Sequence, residues 1–309
     1  MITKPIPYGR QHITDEDIQC VIDALKSDYL TQGPKIKEFE EAFASYVGCK
    51  YAIAVNNATA ALHLAATALD VNPGDKVIVT PLTFAASANC IRYRGGEVVF
   101  CDVEEDTYLM DIKKLSRLLS QSPKGTYKGI VLVDFAGYPA NLEAFRQLAD
   151  EYGLWIIEFA CHAPGGYFID SKGEKQLCGN GNFADVSVFS FHPVKHIATG
   201  EGGMATTNCK ELYEKLCLYR THGITKNPAL LHENHGGWYY EMQELGYNYR
   251  ITDFQAALGI SQLKRADMGL ARRQEIARRY REGLSDLKGV KLPFVSDQVF
   301  HAYHLFIIQ

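Results

Sequence analysis

The sequence predicts an α/β protein built on a mixed, mainly parallel β-sheet. Short, continuously apolar segments alternate with longer helical patterns, as in buried parallel strands that are joined by covering helices. The chain has 309 residues, of which 47% are apolar and 22% charged. This length and composition suit one large folded domain plus part of another, and exclude global disorder.

Two helices are predicted ahead of the first strand. Thr14 and Asp17 form a capping box that begins the first helix, and Gly48 ends the second. Strands and helices then alternate according to their apolar periodicity. The predicted strands are 51–55, 76–80, 98–101, 130–134, 154–158, 185–190 and 203–207, and the predicted helices between them are 58–69, 85–93, 112–119 and 142–152.

The C-terminal part has a different pattern. Residues 252–284 predict one long helix rich in arginine, and the apolar residues 302–308 predict a last strand. Because a strand at the end of a domain needs a partner, we expect the chain to be truncated. We expect a large domain over residues 1–250 and the beginning of a small domain over residues 251–309.

Charge and residue usage exclude several function classes. The net charge of −4 argues against a nucleic-acid-binding protein, which needs a basic face. No apolar run is long enough for a membrane span. The eight cysteines contain no CxxC pair, which favours a reduced, cytoplasmic protein. His232 and His235 do not form an HExxH motif, so no metal site is expected.

Three segments at predicted strand ends carry residues suited to chemistry. The segment 56–60 begins a helix and could bind a phosphate, although small residues in such a turn are more often structural. Lys195 follows a predicted buried strand. If its amine is buried as well, its pKa is lowered and it can form a Schiff base. The alternative is an exposed loop lysine with no role in chemistry. His162 could bind a cofactor ring oxygen or satisfy a hydrogen bond in the core.

These segments belong to a larger set whose order and spacing are highly specific. The set comprises Thr31-Gln32-Gly33-Pro34, Ala58-Thr59-Ala60-Ala61-Leu62, Thr83-Phe84, Ala160-Cys161-His162-Ala163 after Glu158, Ser190-Phe191-His192-Pro193-Val194-Lys195, Gly200-Glu201-Gly202-Gly203 and Gly246-Tyr247-Asn248-Tyr249-Arg250-Ile251-Thr252-Asp253. On these residues the chain resembles the DegT/DnrJ/EryC1/StrS family of sugar aminotransferases, which use pyridoxal 5′-phosphate (PLP).

The resemblance implies a fold, a reaction and partners. The fold would be the aspartate-aminotransferase type of PLP-dependent transferase, with its small C-terminal domain truncated. The reaction would be transamination at C4 of a nucleotide-linked 4-keto-6-deoxy sugar, with L-glutamate as amino donor, by a cytoplasmic homodimer. Residues 133–139 and 191–195 are most similar to family members of pseudaminic acid synthesis, whose substrate is UDP-2-acetamido-2,6-dideoxy-β-L-arabino-hex-4-ulose.

The resemblance also implies roles for individual residues. Lys195 corresponds to the Schiff-base lysine, which would also move the proton between the substrate carbon and the cofactor. The other matching positions would bind the cofactor: Ala58, Thr59 and Ser190 at its phosphate, Phe84 stacked on its ring, His162 near its ring hydroxyl, and Asn248 at the phosphate site of the neighbouring subunit.

One position departs from the family pattern. The family motif reads Glu-Asp-Ala-Cys-His-Ala, but here Phe159 stands in place of the aspartate that pairs with the pyridine nitrogen. Glu158 is adjacent on the strand and faces the other side of the sheet. An inactive PLP-binding homologue is therefore the alternative function. A PLP-dependent sugar dehydratase is disfavoured, because those relatives have histidine in place of Lys195.

Overall fold

The computed structural model describes residue 7, residues 9–233 and residues 235–309, and its centre is a seven-stranded mixed sheet. The strand order is β1-β9-β8-β5-β4-β2-β3, in which β9 runs antiparallel to both of its neighbours and the other pairs are parallel. The predicted mixed, mainly parallel sheet is confirmed. The strands are β1 Tyr51–Val55, β2 Lys76–Val79, β3 Glu97–Phe100, β4 Tyr127–Val133, β5 Trp155–Phe159, β6 Tyr167–Ile169, β7 Lys175–Leu177, β8 Val186–Ser190, β9 Gly203–Thr207, β10 Ile224–Thr225, β11 Glu241–Met242 and β12 Val299–Phe300.

Helices cover both faces of this sheet, and alternate strand residues point to opposite faces. One face packs against α3, α4 and α7, and the other against α2 and α8 at one end and α5 and α6 at the other. The helices are α1 Asp15–Leu25, α2 Pro34–Val47, α3 Ala58–Ala68, α4 Ala86–Tyr93, α5 Ile112–Ser120, α6 Leu142–Tyr152, α7 Lys210–Arg220, α8 Asp253–Leu263 and α9 Ala266–Leu284.

Local sequence signals account for several helix ends. Thr14 and Asp17 form the predicted capping box of α1. Gly48 ends α2 in the left-handed conformation, with φ +78°, which favours glycine. Thr252 makes a second capping box with Gln255, and this cap fixes the beginning of α8.

Two predictions for the C-terminal part are wrong. The helix predicted over 252–284 is two helices, because the chain turns at Lys264 and Arg265 between α8 and α9. The strand predicted over 302–308 does not form. The backbone N–H groups of Ala302 and Leu305 donate instead to the carbonyls of the turn at residues 136–137. These two donors are therefore not available to pair with a neighbouring strand. No helix in the described part of the chain could cross a membrane.

Candidate functional site

A cavity of about 710 Å³ opens where the strands of the central sheet end. Strands β1, β8, β5 and β4 run in the same direction, so their carboxyl ends meet at this edge. Ligands of α/β sheets bind at such edges. The cavity is lined by residues from these ends and from α3 and α4, including Asn57, Thr59, Phe84, Val133, Phe159, His162, Ser190 and Lys195.

One end of the cavity is the N-terminus of α3. The Asn57 side chain accepts a hydrogen bond from the N–H of Ala60 at 2.8 Å, and the N–H groups of Ala58 and Thr59 belong to the same first turn, which has no intrahelical acceptors. A Cβ on Gly203 would lie 2.6 Å from the nitrogen of Ala58, so only glycine lets β9 pass this close. This end fits a phosphate group.

The Lys195 amine supplies the reactive group of the cavity. Lys195 follows β8, and its N–H bonds to the carbonyl of His192 at 2.8 Å, which closes a tight turn. Burial lowers the pKa of Lys195, and no carboxylate in the described part of the chain forms an ion pair with it. A larger share of the amine is therefore neutral and nucleophilic at neutral pH.

The walls between these two ends are mainly aromatic. The Phe84 side chain is 70% exposed to solvent, although it lines the cavity, so its ring is free to cover a flat ligand. Phe159, the last residue of β5, is buried and also lines the cavity. Among the described lining residues, Glu201 is the only carboxylate, and it is exposed. The cavity thus fits a phosphorylated aromatic aldehyde, but Phe159 offers its ring nitrogen no acidic partner.

Two buried carboxyl groups lie on the other face of the same strand ends. One Asp134 oxygen accepts from the N–H of Ala140, and one Glu158 oxygen accepts from the N–H of Gly179, each at 2.9 Å. Their other oxygens have no partner among the described residues, and both groups lie with the Cys178 thiol within 4.8 Å. Burial, and then the neighbouring Glu158, raises the pKa of Asp134 well above its usual range. One proton shared between the two carboxyl groups accounts for this arrangement.

This pair makes a prediction about stability and pH. Because the folded-state pKa of Asp134 is raised, the folded chain holds a proton that the unfolded chain has released, and stability falls as pH rises from about 4 toward the folded pKa. The slope is about 1.4 kcal/mol per pH unit for one proton. Asp134→Asn keeps a donor without titrating, so urea unfolding of this variant should depend less on pH between 5 and 8. The exposed Asp297→Asn is the control; an unchanged slope in Asp134→Asn would exclude the shared proton.

The structure brings most of the predicted site residues together. Six of the seven line the cavity, and Asn248 does not; it pairs with Thr221 outside the cavity lining. Their roles remain predictions. The sequence interpretation missed His63 and Tyr93, which line the cavity from α3 and α4. Only their positions on predicted helices that follow strand ends could have indicated them.

The comparisons with known proteins agree with this geometry. Residues 11–309 match the DegT/DnrJ/EryC1/StrS aminotransferase family. The chain is 43% identical over 276 residues to the UDP-4-amino-4,6-dideoxy-N-acetyl-β-L-altrosamine transaminase of Campylobacter jejuni, covering 89% of this chain and 68% of that protein.

Solved structures show the same fold. PseC of Helicobacter pylori, an aminotransferase involved in the biosynthesis of pseudaminic acid, has a TM-score of 0.86 and 32% identity over 99% of this chain and 77% of that chain. Spr1654 of Streptococcus pneumoniae in its PMP-form has a TM-score of 0.88 and 31% identity over 98% of this chain and 78% of that chain. With the match over residues 11–309, the chain belongs to the DegT/DnrJ/EryC1/StrS aminotransferase family.

Proposed function

We propose that the chain binds PLP and transaminates C4 of a nucleotide-linked 4-keto-6-deoxy sugar, with L-glutamate as amino donor. The observation that carries this proposal is the half-buried Lys195 amine, which lines the same cavity as the free N-terminus of α3. The PLP-form and PMP-form of Spr1654, a structural neighbour, support the cofactor. The Campylobacter jejuni transaminase supports a UDP-linked amino sugar.

Each group of the cavity has a defined task in this proposal. The first turn of α3 and the Ser190 hydroxyl hold the cofactor phosphate, and Phe84 covers the ring. PLP, when bound, supplies the electron-withdrawing system that makes the C–H bond of the substrate acidic. The Lys195 amine, whose pKa burial lowers, accepts that proton at Nζ and returns it to the other end of the reacting system. The buried Phe159 ring excludes water from its part of the wall.

The test is a half-reaction followed by absorbance. The chain loaded with PLP should change its cofactor spectrum when L-glutamate is added, and a 4-keto sugar should reverse the change. UDP-2-acetamido-2,6-dideoxy-β-L-arabino-hex-4-ulose is the expected preferred substrate in a panel of nucleotide 4-keto sugars. A spectrum that responds to no amino acid would contradict the proposal.

The second candidate is a PLP-binding homologue without turnover. Phe159 favours it, because no carboxylate lies at the position that the family uses to pair with the ring nitrogen. The two candidates differ in one observable: both bind PLP, but only the first exchanges amino groups with glutamate.

The phosphate position makes a prediction about affinity. Thr59→Val together with Ser190→Ala should weaken PLP binding by about 3 kcal/mol, or roughly 100-fold, because each charge-assisted hydrogen bond to a phosphate contributes about 1.5–3 kcal/mol. The matched control is Thr126→Val together with Ser120→Ala, because these two hydroxyls lie outside the described cavity lining and bond to nearby backbone carbonyls at 2.7 and 3.0 Å. Fluorescence titration with PLP measures both variants. Equal losses in the two would place the phosphate elsewhere.

We also propose a homodimer in which Asn248 reaches the partner's phosphate site. The segment around Asn248 supports this, because it exposes large apolar side chains: Trp238 is 72% and Leu245 is 77% exposed. Sedimentation should show that the protein is a dimer. Asn248→Ala should weaken PLP binding while the protein remains a dimer. A monomer that binds PLP tightly would contradict the shared site.

A further inference from the structure

Two stacked histidines form part of the wall behind the Lys195 cavity. His162 lines the cavity, and its ring lies against the ring of His304 with centroids 4.2 Å apart and planes 24° apart. The Nδ1 atoms of both rings are buried without a hydrogen-bond partner in the described part of the chain. Nε2 of His162 is therefore the ring nitrogen left to face a ligand in the cavity.

The segment that carries His304 is held firmly by its backbone. The Arg273 guanidinium donates to the carbonyl of Tyr303 at 3.1 Å. The N–H of Ala302 donates to the carbonyl of Gly137 at 2.7 Å, and the N–H of Leu305 donates to the carbonyl of Ala136 at 3.1 Å. These bonds fix the backbone on both sides of His304 and so determine where its ring begins.

Gly137 allows this support to reach His162. A Cβ there would lie 2.7 Å from the carbonyl oxygen of His162 and 2.9 Å from the nitrogen of His304, and its φ of +97° favours glycine. The turn after β4, the turn after β5 and the C-terminal segment thus meet at one glycine. Any larger residue would separate the two histidines.

The stack requires both rings to be neutral. Burial, and then the charge of Lys195, lowers the pKa of His162 to about 3. Burial and the neighbouring His162 lower the pKa of His304. A third ring, His196, lies 5.8 Å from His304. Neutral rings stack favourably, whereas two imidazolium ions beside Lys195 would repel each other.

We propose that His304 is a positioning residue: by stacking on His162, it fixes the plane of that ring and presents its Nε2 to the cofactor ring. The proposal rests on the proposed binding of PLP in this cavity. His304 is not among the described residues that line the cavity, and its ring contact with the lining is the stack on His162.

The test compares three variants of the full chain. His304→Ala removes the stack, and His304→Phe keeps a flat ring of similar shape. Phe306→Ala is the matched control, because Phe306 is a half-buried ring of the same segment whose ring contacts in the described part of the chain are with Tyr280 and Tyr303. PLP affinity should fall roughly three- to tenfold in His304→Ala, about the strength of one aromatic pair, and should be within about twofold of the unaltered chain in the other two.

A second readout needs no cofactor. In the apo chain, NMR titration of the His162 ring should show its pKa rising toward the ordinary value in His304→Ala but not in His304→Phe or Phe306→Ala. If the apo chain shows this shift and does not bind PLP, the positioning stands and the proposed function fails. If His162 titrates identically in all variants, or if Phe306→Ala weakens PLP binding as much as His304→Ala, the positioning role is refuted.

Discussion

Replacement of Lys195 with alanine is expected to abolish transamination and to remove the covalent attachment of PLP. The amine is half-buried in the cavity, burial lowers its pKa, and it pairs with no acid among the described residues. Folding should not suffer, because the variant removes a side chain that forms no ion pair with a described residue. Borohydride reduction followed by mass spectrometry measures the covalent link, and urea unfolding measures the fold.

Two comparisons make this prediction specific. Lys195→Arg keeps a positive charge but cannot bond covalently to the cofactor, so it should fail like the alanine variant. Lys128→Ala is a control at a lysine outside the cavity, where the amine pairs with Asp75, and it should keep the covalent link. A reducible adduct in Lys195→Ala would show that another amine is the nucleophile.

The variant Phe159→Asp is expected to raise the rate of transamination by about 100-fold or more. An electrostatic group placed beside the developing charge contributes about that much in other enzymes. In the chain as it stands, Phe159 is buried in the same apolar cluster as Val133 and Cys161, and among the described lining residues the exposed Glu201 is the only carboxylate. Single-turnover absorbance with glutamate measures the effect directly.

The same variant should couple stability to the cofactor. Without PLP, an aspartate at 159 is a carboxylate in an apolar wall, and we expect a lower free energy of unfolding, by about 1–3 kcal/mol. Bound PLP supplies its partner, so PLP should raise the melting temperature more in Phe159→Asp than in the unaltered chain. Phe159→Asn has the size of aspartate without the charge. If the transamination rate of Phe159→Asn rises as much as that of Phe159→Asp, the cofactor ring is activated by another group. The same conclusion follows if the unaltered chain is as fast as Phe159→Asp.

The central sheet follows from the sequence because all of its strands except the edge strand β3 are largely buried, and such strands appear in the sequence as short apolar runs. Strand β1 was predicted at its observed bounds, and β9 also. The conformation of the last segment was predicted wrongly, because apolar residues at 302–308 also suit an irregular chain that packs against a turn. Its backbone partners at residues 136–137 lie far away in the sequence, and no local pattern carries that information. The division at residue 250 remains a prediction.

The candidate site, like the fold, could be predicted from the sequence only in part. Motifs next to strand ends indicated Lys195, Thr59 and His162, because strand ends at one edge bring such residues together. The residues behind the cavity wall were not indicated. His304 reaches His162 only through the folded path of the C-terminal segment, and the pairing of Asp134 with Glu158 depends on which faces of two strands meet.

The close passage of β9 beside α3 also sets the order in which the molecule is completed. Strand β1 is the edge strand next to β9, and β9 separates it from β8, although β9 is made long after β1. A growing chain that ends before Gly203 has an unpaired β1 and an open edge on β8, both of which invite wrong pairing with other chains. The start of α3 acquires its neighbour only when Gly203 arrives. The phosphate site is therefore complete only after β9, the last strand of the central sheet in chain order, has been made, and capture of a cofactor there marks a finished sheet.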